Sequence, residues 1–215
     1  HTIIRTYSPN VTDWIVGLPA SETTYQGIGT TTKVAETTYY YDDLENCQST
    51  PTNNQTPTKG NLTRVVRWNN LGAAVETRTG YNAYGNAVCT MDARGYSSAI
   101  AYDGSFSFPT SIINPLAQVT GIQYYGVDGT ATDKGLYGQV KSVIDANNSA
   151  TLLEYDGYGR KTRETSPAGS WTSWSYLDLG TVGAQRVRTD TSTGEWQESY
   201  FDGLGRTFKT RRSGP

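Results

Sequence analysis

The chain has 215 residues, with 18 Lys and Arg against 20 Asp and Glu for a net charge of −2, so it lacks the basic field that draws nucleic acid. It has no apolar run long enough to span a bilayer as a helix, and its one histidine is residue 1, which leaves no positioned imidazole for Ser-His-Asp or Cys-His catalysis. The 16 Tyr, 5 Trp and 23 Gly, without any long stretch of helical periodicity, point to strands and turns.

In chain order, His1 precedes a strand-like run, Ile3-Ile4-Arg5-Thr6-Tyr7, and a turn at Ser8-Pro9-Asn10. The missing initiator Met reads as a processed protein or an excised fragment, so the lack of a signal segment does not argue against secretion. Trp14 to Pro19 reads as a compact hydrophobic entry, and Thr30 to Tyr41 alternates as a strand does. Residues 47–59 carry Cys, Ser, Thr, Pro, Asn and Gln without periodicity and are expected to be a mobile or exposed excursion. Gly60 to Trp68 restarts the sheet, residues 80–125 form the cleanest hairpin ladder, and 126–138 interrupt it as an insertion. The array is expected to run as one unit over 1–215.

The ladder rests on a repeated phrase. Tyr155-Asp156-Gly157-Tyr158-Gly159-Arg160 returns as Phe201-Asp202-Gly203-Leu204-Gly205-Arg206, with a weaker copy at Tyr102-Asp103-Gly104. Asp92, Asp103 and Asn114 mark turns at a common step, as do Asp145, Asp156 and Pro167, and Asp202 with Ser213. Asp and Asn side chains fold back on the local backbone, and Gly accepts positive φ. A strand of about seven residues plus a turn of about four accounts for the step. The phrase residues Asp156, Gly157, Gly159, Arg160, Asp202, Gly203, Gly205 and Arg206 are therefore assigned structural roles, with each Arg placed to reach the Asp four residues back. Aligning the strands puts Tyr102, Tyr124 and Tyr155 at one equivalent position, with Ile100, Ile122 and Leu153 two residues earlier on the same face.

Sites of chemistry are sparse. Asp42, Asp43 and Glu45, or Asp128 and Asp133, place oxygens together but follow no calcium-loop pattern, and no His/Cys spacing suggests zinc; neither a metal nor a cofactor is expected. Cys47 and Cys89 leave two alternatives open, a disulfide or two free thiols. Asn10, Asn54, Asn61 and Asn147 head glycosylation sequons, which matter only in a eukaryotic secretory pathway. Trp171, Trp174 and Trp196 are candidate glycan contacts, although a strand would point Trp171 and Trp174 to opposite faces.

The double Asp-Gly-x-Gly-Arg phrase resembles the YD repeat of Rhs (rearrangement hotspot) proteins. Gly60-Asn61-Leu62, Asp92-Ala93-Arg94-Gly95 and Gly138-Gln139-Val140 resemble its degenerate parts, and Trp14 to Ser21 resembles a segment of Rhs and insecticidal-toxin B-type chains. The resemblance covers nearly the whole chain, least securely 42–59 and 126–137. It implies an all-β fold of tandem antiparallel β-hairpins in a continuous curved sheet, part of a shell, tube or fibre. It also implies a non-enzymatic structural role, secreted or at the cell surface, like its polymorphic-toxin, wall-associated and teneurin relatives. The implied partners are other copies of the chain or the rest of a larger Rhs polypeptide, an encapsulated toxin, or surface glycans. A closed shell takes many hundreds of residues, so the chain reads as a piece of one or as a short relative whose copies assemble. The self-cleaving core motif and the variable toxin tip have no counterpart here, so that cleavage is not carried over. The alternative function is a secreted adhesive or carbohydrate-binding module.

Overall fold

Turn residues at short, even intervals leave each β-branched and aromatic segment only its sequence neighbours to pair with. The computed structural model describes residues 1–214, so the last residue of the expected 1–215 array, Pro215, lies outside the described residues. Sixteen strands follow one another. They are β1 (Thr2–Tyr7), β2 (Pro19–Tyr25), β3 (Lys33–Tyr41), β4 (Leu62–Arg67), β5 (Val75–Tyr81), β6 (Ala87–Met91), β7 (Ser97–Tyr102) and β8 (Pro109–Ile113). Then come β9 (Val119–Tyr124), β10 (Val140–Ile144), β11 (Ala150–Tyr155), β12 (Lys161–Thr165), β13 (Trp171–Leu177), β14 (Arg186–Thr191), β15 (Trp196–Phe201) and β16 (Thr207–Arg212). The hydrogen-bonded order is the chain order, paired strands run antiparallel, and the only helix is one 3-10 turn, Val127–Gly129, among the described residues.

The chain divides into two compact units. The first comprises His1–Ala101 with Ile112–Gln118, the second Tyr102–Ser111 with the chain from Val119 on, so β8 is shared between them. In each unit the elements in substantial contact are sequence neighbours, and among the described residues no second sheet or helix makes substantial contact with the strands. The buried set is accordingly small and partly polar: Tyr41, Leu44, Cys47, Thr63 and Arg64 in the first unit, Tyr124, Tyr125, Val127, Ser142 and Glu198 in the second.

The hairpin turns share one geometry. At Asn82, Asp92, Asn114, Asp145, Asp156 and Asp202 the side-chain Oδ1 accepts the backbone N–H groups two and four residues on, at 2.9–3.0 Å. The backbone N–H of that residue donates to the carbonyl four ahead, and the fourth residue's N–H donates back to it. The fourth position takes positive φ: Gly85, Gly95, Ala117, Asn148, Gly159 and Gly205. This is the three-residue hairpin loop that ends in a left-handed residue. Its need for an Asx acceptor at the first position and a φ-tolerant residue at the fourth explains the repeated phrase.

The step is less uniform than the sequence marks suggest. The turn expected at Pro167 begins at Ser166, whose N–H bonds Ser170 O, and Ser213 is no turn, because its N–H pairs with Trp196 O and extends the last strand pair. A turn at Thr191 uses the same backbone pattern with Gly194 at positive φ, and the Asp103 turn is one residue longer, closing on Phe108 O. Trp14 does not form a compact entry: it is 86% exposed, with Val11 and Val16 also exposed beside it.

Candidate functional site

In the first unit, residues 42–61 connect β3 to β4. They form an excursion without strands, but they are fastened rather than loose. Asp42 accepts four backbone N–H groups, from Thr58, Lys59, Gly60 and Asn61, at 2.8–3.1 Å. Burial pushes its pKa up, but these donors outweigh burial and the net shift is downward. Asp43, with no side-chain exposure, meets Arg64 at 3.0 Å, and Thr63 donates its hydroxyl to it at 2.6 Å. Arg64 also bonds Asn53 at 2.7 Å and reaches Glu76 at 3.3 Å, while Arg78 donates to the carbonyls of Cys47 and Ser49. Gln55 crosses back to the carbonyls of Ala20 and Tyr39.

Covalent closure completes this strap: Cys47 and Cys89 are joined by a disulfide, which resolves the two alternatives left by the sequence. The strap passes so close to β5 that a Cβ on Gly80 would stand 2.6 Å from Cys89 Sγ and 2.9 Å from Asn46 Cα. Only hydrogen fits there. The acidic residues Asp42, Asp43 and Glu45 thus split between backbone capture, a buried ion pair and an exposed position. Among the described residues no group of three or more His, Cys, Asp or Glu is placed to hold a metal ion.

In the second unit the phrase residues sit in their turns. Arg160 and Arg206 each donate Nε to the Asp four residues back, at 2.7 Å. Burial raises the Asp156 pKa, but the bond from Arg160 outweighs it and the net shift is down; for Asp202 the Arg206 N–H and guanidinium lower it. Gly159 and Gly205 have positive φ, while Gly157 and Gly203 do not. The two glycines of each phrase therefore have different roles.

Tyr124 is buried, and its hydroxyl donates to Pro109 O at 2.8 Å. Through the β9–β10–β11 register, Ile122 and Leu153 share a face and so do Tyr124 and Tyr155, both half-buried or buried. On β7 Tyr102 and Ile100 are half-buried and alternate with exposed Ala99 and Ala101. The insertion after Tyr124 packs inward: Tyr125 and Val127 are buried, and Tyr125 donates to Leu153 O at 2.8 Å.

The strands β12–β16 build a face of cations laid over aromatic rings. Ser173, Ser175 and Leu177 stand opposite Asp190, Arg188 and Arg186. These in turn face Trp196, Glu198 and Tyr200, and the last two face Arg211 and Lys209. Trp171 and Arg163 join the same face through Thr165 and Ser173. Trp174 lies on the opposite face, across from Thr189. The guanidinium of Arg163 sits 4.5 Å from the Trp171 ring centre and that of Arg188 4.9 Å from Trp196, with Lys209 4.7 Å from Tyr200. On the other face Lys161 covers Trp174 at 4.5 Å.

Glu198 lies at the middle of the charged face, 8% exposed at its side chain. Tyr200 donates to it at 2.9 Å and lowers its pKa; burial opposes this, and Arg186 and Arg211 reinforce it. Three arginines converge on this one carboxylate, at 3.4 Å (Arg186), 3.9 Å (Arg188) and 3.6 Å (Arg211). The sequence singled out the tryptophans, and Lys209, Arg211 and Arg212 as a solvated basic strand end, but not Arg186 or Arg188. The alternation of Arg186 with Arg188 and of Lys209 with Arg211 was the available signal, but their alignment depends on register.

Successive antiparallel hairpins, many of them turning on an Asx residue, define an all-β hairpin-repeat fold. Residues 137–170 match the RHS Repeat family model. No curated protein matches the chain. Among solved structures it is similar to the TcdB2-TccC3 crystal structure, with a TM-score of 0.67 and 11% identity, covering 98% of this chain and 15% of that one. It also resembles TcdB2-TccC3-Cdc42 (TM-score 0.49, 12% identity, 98% and 11% covered) and a Photorhabdus luminescens Tc holotoxin pore (0.47, 11%, 98% and 11%). Only the first of these is close enough to define the fold. The chain spans about a seventh of that chain's length or less.

Proposed function

We propose that the chain is a non-enzymatic wall segment of an RHS-like shell or extracellular assembly, working as a surface rather than as a catalyst. The observation that carries this reading is its uncovered area. The chain exposes 13243 Å² at 23.5 kDa. A compact protein of that mass exposes about 9,800 Å², and even two separate compact halves would expose about 11,800 Å². Ring and aliphatic surface left bare on a sheet is covered in an assembly by more chain, another copy or a partner. The RHS repeat and the TcdB2-TccC3 likeness agree with this role. The Cys47–Cys89 disulfide agrees with a location outside a reducing cytosol.

Light scattering and electron microscopy of the purified chain test the reading. Self-association into larger particles is expected, and a well-behaved 23.5 kDa monomer at every concentration would count against it.

A second reading, a glycan-binding module, has one observation in its favour. A groove of about 590 Å³ is lined by Trp196, Thr189, Gln197 and Arg212, an aromatic-plus-polar lining that suits a sugar. It requires that Trp196→Ala abolish binding on a glycan array while leaving assembly unchanged.

A further inference from the structure

The charged face of β12–β16 has the wrong sign for this chain. The whole molecule carries −2, yet this face sets Arg163, Arg186, Arg188, Lys209 and Arg211 against Asp190, Glu198 and Asp178, a local excess of two positive charges, and Glu154, opposite Arg163 on β11, pairs with Lys134. Asp178, from the β13–β14 connection, also reaches Arg186, and Asp190 takes up Arg188. Arg163 and Lys209 have no carboxylate within ion-pair distance among the described residues. Arg163 bonds only Thr165 Oγ1, at 3.4 Å, and Lys209 rests on Tyr200. Arg211 stays half exposed, with Glu198 at 3.6 Å and Tyr200 at 3.4 Å.

These cations are held in place before any ligand arrives. Rings lie beneath Arg163, Arg188 and Lys209, and Glu198 anchors Arg186, Arg188 and Arg211 from below. Preorganised guanidinium groups bind carboxylates in bidentate fashion at reduced entropic cost. Lys209 and Arg211, the exposed cations of β16, are two residues apart on their strand, a spacing of about 6.8 Å. An extended polypeptide with acids at alternate positions repeats its carboxylates at that same spacing. A sugar chain would need bare ring faces to stack on, and the rings here already carry cations.

We propose that this face binds an extended acidic polypeptide segment with carboxylates at alternate residues. The proposal rests on the wall reading, in which the bare faces are covered by other polypeptide, and it names the chemistry of that cover.

The test titrates the full chain with a short Glu-Thr alternating peptide, with its Lys-Thr counterpart and with polygalacturonate, following tryptophan fluorescence and heat. The Glu-Thr peptide alone is expected to bind, and to weaken on going from low to physiological ionic strength. The combined variant Arg163→Gln, Lys209→Gln, Arg211→Gln is expected to lose about tenfold or more in affinity. Arg206→Gln, a 74% exposed turn cation that pairs with Asp202, is expected to bind as the parent does. If the combined variant does not fold, Arg211→Gln alone provides the comparison, and it should still weaken binding. No binding of the Glu-Thr peptide, equal binding by the Arg211 variant, or preference for polygalacturonate overturns the proposal. Light scattering on the same samples reports assembly separately, so a failed wall reading and a failed peptide site give different results.

Discussion

Within one phrase two glycines two residues apart do different work. Gly205 has φ +77 and Gly203 does not have positive φ, yet an added Cβ meets nothing within 4 Å at either position. Gly205→Ala is therefore expected to cost about 1–2 kcal/mol from the left-handed backbone alone. Gly203→Ala is expected to be neutral or slightly stabilising, by up to about 1 kcal/mol, through the unfolded chain. Paired thermal melts measure the difference, and equal effects would disprove the turn assignment.

The first residue of the turn sets an acid limit on the fold. The Ser105 hydroxyl and the Phe108 N–H hold the Asp103 pKa down at about 2, against an ordinary 3.8. A depressed folded pKa contributes stability that is complete above the unfolded value and is lost as pH falls through the folded one. Asp42, Asp156, Glu198 and Asp202 shift in the same direction. The melting temperature should therefore drop as pH falls from 3.8 to about 2, and Asp103→Asn should flatten that drop while lowering stability at neutral pH. A melt series across this range checks both. These turns were legible in the sequence because Asx and Gly have conformational reasons to stand where they do. Ser166 and Thr191 head turns of the same backbone pattern without an Asx residue, so their positions were displaced or missed.

At the scale of elements, the 42–61 strap was the least legible part of the chain. Its composition reads as loose, but its contacts are long-range: Cys47 to Cys89, Gln55 to Ala20, Asp42 to Lys59. No periodicity records such pairings. Gly80 carried the one local trace, a glycine inside an otherwise ordinary strand, which marks a close approach of another backbone. Gly80→Ala should cost about 1–3 kcal/mol by overpacking and slow disulfide closure, as read by free-thiol titration alongside the melt. Replacing Cys89 by Ser removes a closure spanning 42 residues and should cost about 4 kcal/mol by chain entropy. Denaturant unfolding of that variant measures the cost, and an unchanged midpoint would show that the strap's hydrogen bonds suffice. The cation-over-ring pairs escaped sequence reading for a related reason. Arg163 meets Trp171 across two strands whose register is fixed only after β12 has passed its irregularity beside Lys161.

For the whole molecule, the fold class was legible because turns and strands recur with little else between them. Within each unit strands pair with their sequence neighbours, so stability accumulates from local units and neighbour interfaces. Each cross-strand pair adds about 0.2–1 kcal/mol, which makes number rather than any single contact decisive. What lies against the bare faces is not written in the strand pattern, since the same alternation suits water, another copy or a cargo. The division into two units likewise has no composition shift to announce it.

A sheet built by neighbour-to-neighbour pairing comes apart like a zipper when its ends are pulled, one hairpin after another. The covalent bridge from the strap to β6 is a stop in that zipper. Between Cys47 and Cys89 the chain is a sealed loop of 42 residues, which hides about 140 Å of extended length from an applied force. Single-molecule stretching should recover that length only after a reductant is added. A sheet of this kind under tension would thus yield at its unbridged hairpins first and keep β4 and β5 enclosed to the end.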